Sequence, residues 1–156
     1  MELIYCLLYL LFISLLIYFV GRVYPRKAIN PNVFPFCTFK KEKNGKIYQK
    51  FKVRKLKKIY PDASKLAHKI IAKIPEKSLK SPTEKQLTVL IYESCVAEIT
   101  HVVAIILGAF CPIISITHGT ILSALYILFN LPAIIIQRFN RPRYKSALLK
   151  ITQRGI

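Results

Sequence analysis

Charged and apolar positions are segregated along this chain rather than interleaved. Leu3–Val20 runs eighteen residues without a charge, and Val102–Thr117 and Ile121–Ile136 run sixteen each. At a rise of about 1.5 Å per residue, the first stretch nearly crosses a hydrocarbon layer roughly 30 Å thick. The other two do so once each is extended into its neighbours. This pattern predicts an all-α integral membrane protein: a single membrane domain over 1–156 with about three transmembrane helices, near 3–20, 100–118 and 120–137. The tight His118-Gly119-Thr120 sequence reads as the turn between the last two. The first run reads as a retained helix rather than a cleaved leader. It starts at Met1-Glu2, with no basic start, and continues into Gly21-Arg22-Val23-Tyr24 with no small-residue cleavage site.

Between the first two runs the pattern changes several times. Pro25, Pro31 and Pro35 make Tyr24–Phe36 a non-helical, partly aromatic passage. Asn44-Gly45 is a turn signal. Over Ile47–Ile59 the apolar Tyr48, Phe51, Val53, Leu56 and Ile59 interleave with basic residues, a spacing that suits a short amphipathic element on the membrane surface. Most of its lysines then read as a solvated basic face. Ala63–Ile74 can form one more helix before Pro75. Ser81-Pro82-Thr83-Glu84 reads as a helix start, with Ser81 as cap and Glu84 completing a capping box, and that helix runs into the second span.

Charge turns this pattern into a topology. All 25 Lys and Arg fall in two blocks, nineteen over Arg22–Lys85 and six over Arg138–Arg154. Basic residues collect on the cytosolic side of membrane proteins. A loop over 21–85 and a tail over 138–156 are therefore expected in the cytosol, with Met1 and the His118 turn outside, in a multi-pass protein of the cell membrane. A separate span over Gln86–Gly108 would place the two basic blocks on opposite sides and conflicts with the charge. The net charge of +18 also suits a nucleic-acid binder, but no recognition motif is present. Anionic membrane lipids are the expected partners, and no nucleic acid. Cys6, Cys37, Cys95 and Cys111 form no C-x-x-C pair, so disulfides are not expected. His68, His101 and His118 are too dispersed for a metal site.

Three ionisable residues sit where the second helix meets the membrane: Glu93, Glu98 and His101. Such groups cost free energy in hydrocarbon and are candidates for function. Glu98 and His101 share a helix face, so the carboxylate can orient the imidazole as a general base. If Gly119 marks the hairpin apex, His101 lies level with Gln137 and Glu98 with Asn140. Base, carboxylate, amide and the guanidinium groups of Arg138, Arg141 and Arg143 then converge on one level. Asn130 reads separately, as a side chain that bonds a carbonyl freed by Pro132 or crosses to a neighbouring helix.

Ala97-Glu98-Ile99-Thr100-His101, Asn130-Leu131-Pro132 and the string Gln137-Arg138-Phe139-Asn140-Arg141-Pro142-Arg143 resemble the glycosyl-diaponeurosporenoate acyltransferases of the staphyloxanthin pathway. So do Glu42–Lys46, Val53-Arg54-Lys55-Leu56-Lys57 and Pro61-Asp62. The resemblance covers nearly all of the chain after residue 21. This chain departs at Leu56, where the family usually has Trp. The resemblance implies an acyltransferase moving a fatty acyl group onto a hydroxyl of a glycolipid or glycosylated isoprenoid at the cytosolic interface. It has no cofactor, and acyl-CoA or another acyl donor is the co-substrate. Under it, His101, Glu98 and Asn140 are the catalytic candidates. Gln137, Arg138, Arg141, Arg143, Glu93, Arg54 and Lys55 are the candidates for binding donor or lipid-linked acceptor. No nucleophilic Ser or Cys stands out, Ser94 and Cys95 notwithstanding, which favours direct transfer. Two other readings stay open: a non-enzymatic subunit whose basic loop docks on anionic lipid or a partner enzyme, and a small transporter subunit relaying protons. A homo-oligomer is compatible with each.

Overall fold

A computed structural model describes residues 1–59 and 82–154. Among the described residues lie four α-helices: α1 over Glu2–Val23, α2 over Val53–Ile59, α3 over Glu84–Gly108 and α4 over Ile116–Arg154. Short 3-10 segments lie at Arg26–Ala28, Lys40–Phe51 and Cys111–Ile113, and no strand occurs among the described residues. Among the described residues three stretches are long and apolar enough to cross a membrane: Glu2–Val23, Glu84–Ile113 and Ile116–Gln153. The all-α membrane architecture expected from the pattern is the one observed. The expected helix over Ala63–Ile74 and the Ser81 cap lie outside the described residues.

Burial on α1 is one-sided. Cys6, Leu10, Ile13 and Ile17 recur every three or four residues and pack against Cys111 and Ala104, while Leu7, Leu8, Phe12, Leu15 and Phe19 face outward. In water that outward face would be a liability, but in lipid it is the ordinary surface of a spanning helix. Gly21 lets the end of α1 approach α3 closely, since a Cβ there would sit 2.9 Å from Thr100 Cγ2. Beyond α1, Arg26 Nε reaches back to Glu93 Oε1 at 2.9 Å and ties the start of the loop to α3.

α3 and α4 form a long antiparallel hairpin. Helix α3 begins one residue pair later than the pattern suggested. Thr83, not Ser81, is the cap: its Oγ1 accepts from the Gln86 N–H at 3.3 Å, and Gln86 Oε1 accepts from the Thr83 N–H at 2.9 Å. Glu84 opens the helix, and Gln86 is the residue that closes the box. The hairpin turn also moves. It lies over Ala109–Ser115 around the Cys111–Ile113 segment, and Gly119 belongs to α4. Gly119 is needed there for proximity, because a Cβ would fall 2.4 Å from the Cys111 carbonyl oxygen. A turn centred near Pro112 uses a residue that cannot continue α3's hydrogen bonding.

At its far end α4 does not stop at the membrane boundary. It runs 39 residues through Pro132 and Pro142 to Arg154, so the segment expected as a tail continues the last span as helix. Tyr144–Thr152 holds no breaker and is rich in good helix formers, which explains the continuation. The 47–59 element docks on this extension. Lys52, with φ of 48°, breaks the backbone between the 3-10 segment and α2. Val53, only 1% exposed, then packs on Ile136 and Phe139, with Tyr48 and Leu56 beside it. Val53, with Tyr48 and Leu56 partly, therefore buries against α4, while Ile47 and Phe51 stay exposed. The reason is local: Ile135, Ile136 and Phe139 offer an apolar ridge on which Val53 seats. Gly45, at φ of 82°, lies with its Cβ position 3.3 Å from the Phe139 carbonyl, so the Asn44-Gly45 turn serves a close crossing over α4.

Candidate functional site

Where the loop crosses the hairpin, two carboxylates and two guanidinium groups are buried together. Glu98 comes from α3, Arg138 and Arg141 from successive turns of α4, and Glu42 from the 3-10 segment above them. Glu98 Oε1 accepts from Arg138 Nη1 at 2.9 Å, and its Oε2 accepts from Arg141 Nη2. Arg138 Nε donates to Glu42 Oε1 at 2.8 Å, and its two terminal nitrogens donate to the Pro35 carbonyl. Arg141 donates to Ser94 Oγ at 2.9 Å, to the Ser94 carbonyl at 3.0 Å and to the Phe36 carbonyl at 2.9 Å. The formal charges balance, and every nitrogen of both guanidiniums is engaged. Removing such groups from water is costly, and only this degree of pairing and hydrogen bonding offsets the desolvation.

Aromatic residues and one phenol complete the cluster. Arg138 lies 4.9 Å from the Phe39 ring centroid and Arg141 5.6 Å from that of Phe36. Tyr48 donates to Glu42 Oε1, and Glu42 Oε2 accepts from the Phe39 N–H at 3.0 Å. Burial, and then the bond to the Glu42 carboxylate, push the Tyr48 phenol well above its ordinary titration range. Over the cluster Phe36, Cys37, Thr38, Glu42 and Pro142 outline only a surface depression, too small to hold a water molecule.

His101 stands apart from this network. It does not pair with Glu98 but with Asn130 of α4, with 2.7 Å between His101 Nδ1 and Asn130 Oδ1. Two facts explain why the register expected from a Gly119 apex fails here. The turn lies earlier in the chain, so His101 meets Asn130 rather than Gln137. Glu98 meanwhile is drawn to two fixed cations, which attract a carboxylate more strongly than a neutral imidazole does. Asn140 also sits elsewhere: it follows Asn130 by ten residues, about 15 Å along the axis, and its Oδ1 accepts from Lys57 Nζ at 3.2 Å. Asn130 crosses to the neighbouring helix as expected, but the carbonyl it bonds is that of Tyr126, at 2.8 Å.

The remaining candidates scatter around the cluster. Gln137 is half-buried on α4, two turns above Asn130. Arg143 is exposed and stacks 3.4 Å from the Phe139 ring centroid. Glu93 bonds Arg26, and Lys55 is exposed on α2, whereas the Arg54 side chain lies outside what the structure describes. Glu42 and Tyr48 are not singled out by the sequence for this site, and Ser94 enters it as a hydroxyl that accepts from Arg141. The signal for Glu42 was present, since it is the lone acid between Lys40 and Lys58.

Long apolar helices, a buried polar cluster at one end and an imidazole within the hairpin define a small integral membrane protein with a polar site at the level of its loop. The family model described as glycosyl-4,4'-diaponeurosporenoate acyltransferase matches residues 25–150. Proteins of that name from Staphylococcus aureus strains N315 and USA300 are each 31% identical over 157 residues, covering 97% of this chain and 90% of the relative. The chain belongs to the glycosyl-4,4'-diaponeurosporenoate acyltransferase family. No solved structure matches it.

Proposed function

We propose that this protein transfers a fatty acyl group from an activated donor, acyl-CoA or another acyl donor, to a hydroxyl of a glycolipid or glycosylated isoprenoid in the membrane. The observation that carries this reading is family membership along nearly the whole chain, since the relatives are named for acyl transfer to a glycosylated carotenoid acid. In the proposed reaction His101 removes the acceptor's hydroxyl proton as that oxygen attacks the donor's acyl carbon. The bond from that carbon to the leaving group then breaks, and the proton passes from His101 to the leaving group. An ester forms and the donor's carrier departs protonated, with no acyl-enzyme.

The charge cluster has a different part in this reading. Arg138 and Arg141 hold the loop on the hairpin, and Glu98 anchors both, while Gln137 and Asn140, about 10 and 15 Å along α4 from the partner of His101, lie beyond reach of an oxyanion formed beside that base. Arg143, Lys55 and Arg54 are the cations proposed to meet the donor's phosphates or an anionic head group, and Glu93 orients the loop through Arg26. The two basic blocks favour the cytosolic face for this chemistry, with the N-terminus outside and the C-terminus cytosolic. Comparing the lipids of membranes with and without the protein tests the proposal: a new acylated glycolipid identifies reaction and acceptor together. If no acylated species depends on the protein, while neutralising Lys50, Lys52 and Lys55 abolishes its cellular effect, it acts as a lipid-docking subunit instead.

A further inference from the structure

Asn130 combines three observations that are independent of the charge cluster. It is 6% exposed, in the interior of a helix long and apolar enough to cross a membrane. Its side-chain nitrogen donates to the Tyr126 carbonyl at 2.8 Å, one helical turn back on α4. Its side-chain oxygen lies 2.7 Å from His101 Nδ1 on α3. A buried amide there carries a cost unless its groups are paired, and both are.

The bond to Tyr126 determines which way the amide faces. A peptide carbonyl can only accept, so the atom of Asn130 that meets it must be the NH2 group, which turns the oxygen toward His101. An amide oxygen can only accept in turn. His101 Nδ1 must therefore carry the hydrogen, and a neutral imidazole with its proton on Nδ1 keeps the lone pair on Nε2. Glu98 does not fill this role: its oxygens meet Arg138 and Arg141, and His101 Nδ1 meets Asn130 instead. We infer that Asn130 is the positioning residue that holds His101 in the Nδ1–H tautomer with Nε2 as the proton acceptor. This rests on the proposed reaction for its consequence, though not for the tautomer itself. A neutral orienting partner has a physical advantage at this depth. A carboxylate in its place would bring a further charge into hydrocarbon, whereas the amide orients the ring without one.

Nitrogen-15 NMR of the full-length protein in lipid nanodiscs, labelled at histidine, tests the inference directly. The resonance lost in His101→Ala is assigned to His101, and in the wild type it should report protonation on Nδ1. Asn130→Leu removes both polar groups and should lose that tautomer. It should also lower kcat about 10- to 100-fold with KM nearly unchanged, a part of the roughly 10²- to 10⁴-fold that a positioned general base supplies. Asn130→Asp, which keeps an acceptor oxygen, should retain more of the activity than Asn130→Leu. A wild-type His101 protonated on Nε2 overturns the inference, even if Asn130→Leu fails to insert. So does a folded Asn130→Leu with wild-type kcat. Were His101→Ala itself fully active, the proposed base would fall. A dead His101→Ala beside a fully active Asn130→Leu would remove only the role given to Asn130.

Discussion

Glu98 and His101 stand one turn apart on the same helix, and their surroundings are opposite in kind. Glu98 is 7% exposed and holds two arginines, inside a cluster whose charges cancel and whose guanidinium nitrogens are all bonded. His101 meets one neutral amide and keeps one ring nitrogen outside that bond. A saturated buried ion pair is architecture: it fastens Pro35–Glu42 and the Tyr48 segment onto α3 and α4. An under-committed imidazole can take up a proton. The difference teaches that intramembrane charge by itself does not mark chemistry. The number of partners already satisfied separates support from site.

The other end of the hairpin extends the contrast. Glu2 Oε2 accepts from Ser115 Oγ at 2.8 Å and lies 4.0 Å from His118 Nδ1, but the Glu2 and His118 side chains are 67% and 49% exposed. Similar residue types are thus a buried clamp at one end and a loose surface contact at the other.

The comparison can be broken at its strongest point first. Arg141→Ala leaves Glu98 buried with a single partner and should destabilise the protein by about 3–5 kcal/mol, read as a loss of denaturant resistance in detergent. Unchanged unfolding would mean that the cluster is not the fastening. His101→Ala should cost about 1–3 kcal/mol at most, for the Asn130 oxygen left unpaired, while lowering turnover on a verified acceptor by about 10²- to 10⁴-fold. A loss of stability as large as that of Arg141→Ala would put His101 on the architectural side instead. Val53→Ala removes about two methyl groups from the contact with Ile136 and Phe139 and should cost roughly 1.6 kcal/mol. Faster proteolysis of the Lys40–Ile59 segment in that variant would locate the loss at the docked loop. Glu2→Gln is the weakest test: at so exposed a contact the change should stay within about 0.5 kcal/mol. A larger loss would show that the Glu2 end is also a clamp.

Much of this was legible from residue order. The three apolar helices, the run of α3 from near residue 82, the crossing role of Asn130 and the turn at Asn44-Gly45 all follow from patterns confined to a few neighbouring residues. The Thr83 cap was misplaced by two positions because Ser81 and Thr83 both have the right chemistry, and only Gln86, three residues after Thr83, closes a box with it. The level of the α3–α4 pairing was legible at Glu98, which meets Arg138 and Arg141 on either side of Asn140, but not at His101, which meets Asn130 rather than Gln137. A glycine near the midpoint suggests a turn there, yet Gly119 lies inside α4 because its lack of a side chain is needed against the Cys111 carbonyl.

Hydropathy and charge segregation settle which segments can leave water, because transfer free energy depends mainly on composition over a span's length. They also identify Glu98, His101, Asn130, Arg138 and Arg141 as residues that need a reason to be where they are. Composition cannot say which of these satisfies which. That was decided by the hairpin's true turn and by the loop folding back over α4, which bring Glu42 to Arg138 across 96 residues of chain and Asn130 to His101 across 29. Electrostatic and hydrogen-bonding partners are chosen at distances of about 3 Å, and a shift of two helical turns in register exchanges all of them.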